Sequence, residues 1–421
     1  MTSPTTTPTE PGRLPLAGVR VLDLSRILAG PLAAQTLADL GADVVKVERP
    51  GNGDEARRWG PPFLQDRDGR DTRESPMYLS ANRNKRSVTI DIATAAGQNL
   101  VRRLASRSDV LIENFKVGDL ARYGLDHASL RAAFPRLVYC SVTGFGQTGP
   151  KRHLPGYDTV FQAMSGMMSV TGLPDGVPGG GPMKTGPSLA DFIAGQYAAS
   201  AVLAALYARD GPAGTGEGRH VDIALLDCTI AAQTHSVTTY LAAGTVPPRR
   251  GTEGNGGLPS QAFECADGGV IVICGSDAQY RTFCAAIGRP ELADDPRFVT
   301  NAERLRHRRE LAEVFNAATR EWRCTPLLET LERAGIPSGP INRYPEVFAD
   351  PQVVHRGMAQ RLSHPQACEV TLCASPIRFD GPDPAPPRAP PTIGQHTDEI
   401  LGDVLGLDDA AIAALRSQRV V

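Results

Sequence analysis

The sequence predicts an α/β protein: a doubly wound lobe built on a mostly parallel sheet, joined to a smaller α+β lobe. Three observations carry this. Short β-branched runs alternate with helical periodicity from residue 19 to residue 142; glycine- and proline-dense junctions fall at 247–260 and 381–391; and 421 residues at 41% hydrophobic and 21% charged suffice for two cores rather than one.

Val19–Leu24 is apolar and β-branched enough for a buried strand, and Gly30-Pro31 opens a helix with proline at a permitted first-turn position. Gly41 ends that helix and Val44–Val47 is the next strand, so the segment is a βαβ unit with parallel strands and a right-handed crossover. The alternation continues with a strand at Ser87–Ile92, a helix at Thr94–Arg107, and strands at Val110–Ile112 and Leu137–Val142. Such alternation defines a Rossmann-like lobe, whose ligands lie beyond the carboxyl ends of the strands. The positions to watch are therefore 25–30, 49–54, 114–115 and 143–146.

A long Ala-rich helix covers about 188–209, and HVDIALLD after it has strand character. AFECADGGVIVICG reads as a hairpin with an Asp-Gly turn, followed by helical stretches near 278–287 and 303–334. The expected organisation is a large domain from 14–222, a linker at 223–249, a small domain at 250–340, a second linker at 341–380 and a return to the large domain at 381–421. The Thr/Pro-rich residues 1–13 form a disordered tail with neither a basic, apolar leader nor an arginine-rich transit pattern. No apolar stretch is expected to reach membrane-spanning length, because Asp191, Gln196 and Ser200 interrupt the longest candidate. These features predict a soluble, cytoplasmic protein.

The net charge of −2 and the lack of a basic run exclude nucleic acid as the expected partner. None of the eight cysteines forms C-x-x-C and no Cys/His cluster has zinc-ligand spacing, so no metal is expected. No glycine-rich phosphate loop stands where a strand meets a helix, which weighs against a dinucleotide-dependent dehydrogenase.

Asp191 lies in TGPSLADFIAG, where Ser188 three residues earlier makes the S-x-x-D pattern of a helix start. On spacing alone Asp191 is a helix cap that stays ionised beside the helix dipole. The same placement suits a carboxylate nucleophile held at the floor of a cleft, where excluded water strengthens its attack on a thioester. Arg49, Arg57 and Arg58 fall near the ligand edge, where a polyphosphate needs cations; singly, each also reads as a surface arginine. Phe115 is placed to stack on an adenine ring and Arg122 to meet a phosphate, or else they are core and solvated helix face. GTEGNGGLPS at 251–260 serves as a lid with oxyanion-binding amides or as a plain linker.

Together, VLDLSRILAGP, LGADVVKVERPGNGD, NRNKRSVTIDI, IENFKVG, YCSVTGFGQTGP, LADFIAG, AGIPSGPIN and IGQHTDEIL, in this order, resemble the class III CoA-transferases from about Leu16 to Val421. PGNGDEARRWGPPF and FADPQVVHRGM bring the chain nearest the subgroup using succinyl-CoA and dicarboxylates such as glutarate. The resemblance implies an interlocked homodimer, with coenzyme A present as substrate and product and no permanently bound cofactor. It implies that Asp191 carries the acyl group and CoA in turn, as an anhydride and a thioester. It implies CoA contacts from Arg49, Ile90, Asn114, Phe115 and Arg122, a pocket bounded by Leu28 and Tyr157, and a lid at Gly254, Gly256 and Gly257. Leu28 stands where formyl-CoA transferase has glutamine, which argues against that substrate pair. The related α-methylacyl-CoA racemases carry GHD where this chain has GYD, and a tyrosine has far too high a pKa for their proton transfer. A non-catalytic acyl-CoA-binding subunit is the remaining alternative.

Overall fold

A computed structural model describes residues 14–254, 256–380 and 386–421. The expected tail at 1–13, and residues 381–385 of the proline-rich crossing, lie outside the described residues. Two compact units emerge: a larger one from the described residues of 1–168, 184–245 and 356–421, and a smaller one from 169–183 and 246–355.

The larger unit is organised by strands β1 (Arg20–Asp23), β2 (Asp43–Glu48), β3 (Lys85–Thr89), β4 (Val110–Glu113), β5 (Val138–Thr143) and β6 (His220–Ala224). They pair in parallel in the order β3-β2-β1-β4-β5-β6, the expected doubly wound arrangement, whose switch point lies between β1 and β4. Its helices run α1 (Ala29–Asp39), α2 (Pro76–Ser80), α3 (Ala95–Ala105), α4 (His127–Ala133), α5 (Asp158–Met164), the first half of α6 (Met167–Val170), α7 (Leu189–Asp210), α8 (Leu225–Ala231) and α9 (Thr234–Ala243). The sequence explains the chief boundaries. Thr94 caps α3 by accepting the Gly97 N–H, and Gly41 with φ +103° follows the end of α1.

Side chains alternate across the sheet with a period of two, so neighbouring residues enter different cores. Val21, Val110 and Ile112 pack with α1 and α7, whereas Leu22 and Leu111 pack with α3 and with Ile400, Leu401 and Ile412 from the end of the chain. Alanines dominate the α1–α7 contact, and a Cβ at Gly195 would stand 2.8 Å from the Ala29 carbonyl oxygen, so this close approach requires glycine. α7 is 22 residues long and apolar enough to cross a membrane by length and composition, which corrects the sequence expectation. Its Ala190, Ala194, Ala198 and Val202 are nevertheless core residues, and its buried Arg209 pairs with Asp109 at 2.9 Å.

Two further segments differ from expectation. The stretch 223–249, expected as a linker, carries α8 and α9, because the apolar run LLDCTIA buries Leu225 and Cys228 against the α7 side of the sheet. The stretch 341–380 likewise contains helices at Tyr344–Ala349 and Pro351–His355 and a hairpin of β10 (Ala359–His364) and β11 (Cys368–Cys373). The smaller unit has its own core around Phe263, Tyr280, Phe283 and Phe315, and an antiparallel sheet of β7 (Ser260–Cys265), β8 (Gly268–Ile273) and β9 (Ser338–Pro340). The predicted Asp-Gly hairpin is β7–β8.

Beneath the carboxyl-terminal edge of the parallel sheet lies a sealed set of charges. Lys85 Nζ meets Asp23 at 2.8 Å, Lys46 Nζ meets Asp54 at 2.9 Å, and Arg57 bridges Glu48 at 2.7 Å and Glu74 at 2.6 Å. Burial alone would raise the Asp23 and Asp54 carboxyls, but the lysines outweigh it and hold both below the ordinary carboxylate range. Arg57, expected at the ligand edge for a polyphosphate, is fully buried with its guanidinium 3.6 Å from the Tyr78 ring centre, so its capacity is already spent. Removing one partner strands a buried charge. Lys46→Met should destabilise the protein by about 3–5 kcal/mol in urea denaturation, while Arg70→Ala, from an exposed pair, should stay within about 0.5 kcal/mol.

Candidate active site

The loop after β1 defines one wall of the site. Lys46 Nζ donates to the Ser25 carbonyl at 2.8 Å, and the Ser25 N–H donates to Asp23 Oδ1 at 2.9 Å. Asn114, just past β4, accepts from the Arg26 N–H at 2.9 Å and donates to the Arg26 carbonyl at 2.7 Å. Asp54 Oδ1 accepts the Ile27 N–H at 3.0 Å, fixing this β-branched residue at φ +71°, a conformation that costs about 1–2 kcal/mol and persists only where neighbours over-determine it. The buried charges thus dictate where Ile27 and Leu28 point.

The second wall is the start of α7. Asp191 occupies the first turn of this helix, and Ser188 precedes the helix without capping it through its side chain. The S-x-x-D pattern therefore does not operate as a cap. Asp158, the first residue of α5, does that work: its Oδ1 accepts the Ala190 N–H at 2.8 Å while its Oδ2 accepts from Gln162 Nε2 at 2.7 Å. Released from capping, the Asp191 carboxylate has no hydrogen-bond donor among the described residues and faces an open cavity.

That cavity encloses about 310 Å³ and is lined by Ile27, Leu28, Trp59 and Met77 on its apolar side. Tyr157, Thr159 and Ser188 supply hydroxyls, and Asp158, Lys184 and Asp191 supply charge. Tyr157 is largely exposed, its ring 6.3 Å from that of Trp59. Burial and then the Asp158 carboxylate push Asp191 up from 3.8 to about 7. This corrects the expectation of a permanently ionised group: desolvation and a like charge outweigh the helix dipole. Near neutral pH a substantial fraction is ionised, and the anion is more basic, hence more nucleophilic, than an ordinary carboxylate.

The structure thus brings Leu28, Tyr157 and Asp191 into one cavity. Asn114 and Phe115 meet the β1 loop at the switch point, with the Arg26 guanidinium 4.6 Å from the Phe115 ring centre. Arg49 and Arg122 are exposed beyond β2 and β4, the latter within 3.5 Å of Asp119. Ile90 is closed off in the core at 2% exposure. Gly254, Gly256 and Gly257 belong to the smaller unit; there the Gly254 N–H donates to the Ser260 carbonyl at 2.7 Å, and a Cβ at Gly257 would approach the Cys274 carbonyl to 2.5 Å. Sequence reasoning missed Asp158, Lys184 and Trp59 as site residues. The first stands beside Tyr157 in the GYD motif, and its position just before a helical run was the available signal.

A doubly wound lobe whose switch point borders a cavity holding a weakly acidic aspartate is the setting of the candidate site. The chain belongs to CoA-transferase family III, whose family model matches residues 16–397, and it is an enzyme of that class. It is 42% identical over 397 residues to the succinate–glutarate CoA-transferase of Agrobacterium fabrum, covering 94% of this chain and 97% of that protein. It is 39% identical over 407 residues to the human succinyl-CoA:glutarate CoA-transferase, covering 97% and 90% respectively. Among solved structures, a CAIB/BAIF family protein from Brucella suis superposes with a TM-score of 0.84 at 41% identity, covering 93% of this chain and all of that one.

The electrostatics predict a pH profile. Asp191 is protonated below about 7 and ionised above it, so kcat/KM should rise with pH through that value. Asp158→Asn keeps an acceptor for the Ala190 N–H but removes the like charge, and should move the midpoint to lower pH; an unmoved or raised midpoint contradicts the assignment.

Proposed function

We propose that this enzyme moves CoA from succinyl-CoA to a dicarboxylic acid of the glutarate class, with Asp191 as the covalent carrier. The observation that carries the reading is the Asp191 carboxylate itself: free of hydrogen bonds among the described residues, raised in pKa and facing a cavity large enough for a short acyl chain. The substrate class is supported by the names of the relatives, which transfer CoA between succinate and glutarate.

In the proposed cycle an Asp191 oxygen attacks the donor thioester carbonyl, the C–S bond breaks, and a mixed anhydride and CoA thiolate result. The thiolate attacks the Asp191 carbonyl carbon of that anhydride, forming an aspartyl-CoA thioester and releasing the donor acid as its carboxylate. The acceptor carboxylate attacks this thioester to give a second anhydride and thiolate. Attack of that thiolate on the acceptor acyl carbon yields the new acyl-CoA and regenerates Asp191. Each step exchanges one anion for another, so no general base is required.

CoA is assigned to the carboxyl edge of the sheet, with Arg49, Asn114 and Phe115 beyond β2 and β4 and Arg122 further along, while Ile90, closed off in the core beyond β3, is left out of the assignment; crevices at such switch points are where doubly wound sheets take ligands. The lid role of Gly254, Gly256 and Gly257, the interlocked homodimer and the cytoplasmic location belong to the same proposal, and the homodimer rests on the resemblance alone.

Incubation with succinyl-CoA and a panel of dicarboxylates should yield the matching acyl-CoA, and Asp191→Ala should lower the rate by about 10⁴-fold or more. Failure of every acid to exchange, together with loss of the α-proton of a 2-methylacyl-CoA to solvent, would favour the racemase reading. Activity retained in Asp191→Ala would sink the nucleophile.

A further inference from the structure

We infer that Lys184 reads the far carboxylate of a dicarboxylic substrate, an inference that rests on the transferase reading above. Among the described residues lining the cavity Lys184 is the sole cation, and it shares the space with the acids Asp158 and Asp191 and the apolar Ile27, Leu28, Trp59 and Met77. An acceptor that presents one carboxylate to Asp191 brings its second into this cavity. There an unpaired anion meets apolar surface and two like charges, and is rejected unless a cation receives it.

Lys184 is equipped for that. Among the described residues its ammonium bonds only the neutral carbonyl oxygens of Thr185 at 3.0 Å and Gly186 at 3.2 Å, which leaves one of its three hydrogens available. The side chain is exposed and lines the cavity, so its ammonium is accessible to an incoming carboxylate.

The backbone beside Lys184 is tied to the reactive helix. The Thr185 N–H and hydroxyl both donate to Gln162 Oε1, at 2.9 and 3.2 Å, and Gln162 Nε2 donates to Asp158 Oδ2. Asp158 in turn holds the Ala190 N–H, one residue before Asp191. One hydrogen-bonded chain therefore links the backbone next to Lys184 with the backbone next to Asp191. Ile27, Leu28, Trp59 and Met77 line the same cavity and offer apolar surface to the methylenes of a short diacid.

The test compares glutarate with pentanoate, an acid of equal length lacking the second carboxylate, against one succinyl-CoA donor so that effects on the donor cancel in the ratio of kcat/KM. The wild type should favour glutarate. Lys184→Gln should reduce that preference by about 10- to 100-fold, chiefly through KM for glutarate, the range expected when a charge-assisted hydrogen bond is lost. Lys184→Arg should retain most of it, and Lys184→Glu should shift preference toward 5-aminopentanoate. A merely structural role would slow both acids equally and leave the ratio unchanged, and that result overturns the inference, as does a wild type with no preference. A wild type that transfers CoA to no dicarboxylate overturns the transferase reading, and this inference with it.

Discussion

A lattice of buried charges under the carboxyl-terminal edge of the parallel sheet sets the geometry above it. Asp23 with Lys85, Lys46 with Asp54, and Arg57 with Glu48 and Glu74 are all sealed from solvent. Four acids face three bases, a count that would leave excess negative charge. Burial, against Arg57 and aided by Glu48, pushes Glu74 up to about 7, so a proton shared with the medium brings the set close to neutrality. Such a lattice contributes little net stability compared with apolar packing, but it tolerates no missing member. What it provides is direction. Asp54 and Lys46 grip the backbone of the loop after β1, and through that grip Ile27 is held in a conformation its own side chain disfavours. The strain is local, and one wall of the cavity that holds Asp191 is its product.

The second constraint acts from the opposite wall. A helix start must satisfy its free N–H groups, and here Asp158 from α5 satisfies one of them. Asp191 is thereby left without a structural task. The same Asp158 charge, added to burial, makes Asp191 a weaker acid and a stronger nucleophile. One carboxylate thus caps the helix and tunes the other. Through Gln162 it also ties down the segment that bears Lys184, so the backbone beside Asp191 and beside Lys184 is held by a single buried side chain.

Much of this was legible in the sequence. The strand–helix alternation, Gly41 and the capping Thr94 are local signals, and the parallel sheet they predict is present. Leu28, Tyr157 and Asp191 were picked out by motif and do share a cavity. What was not legible depends on long-range contact. Ser188 has the right spacing to cap α7, yet Asp158, thirty-two residues before Ala190 in the chain, does so instead. Arg57 reads as a phosphate ligand until β2 and residue 74 enclose it. The segment 223–249 reads as a linker because the burial that makes α8 a helix comes from the sheet and α7, not from its own periodicity.

The central claim is that Asp191 becomes covalently attached to CoA during turnover. The most direct measurement is intact-protein and peptide mass spectrometry after mixing the enzyme with succinyl-CoA and quenching in the absence of acceptor. A mass increase equal to CoA less one water is expected on the peptide containing Asp191, replaced by a hydroxamate when hydroxylamine is added. A stable adduct on any other residue, or turnover to product with no adduct trapped at Asp191, would contradict it.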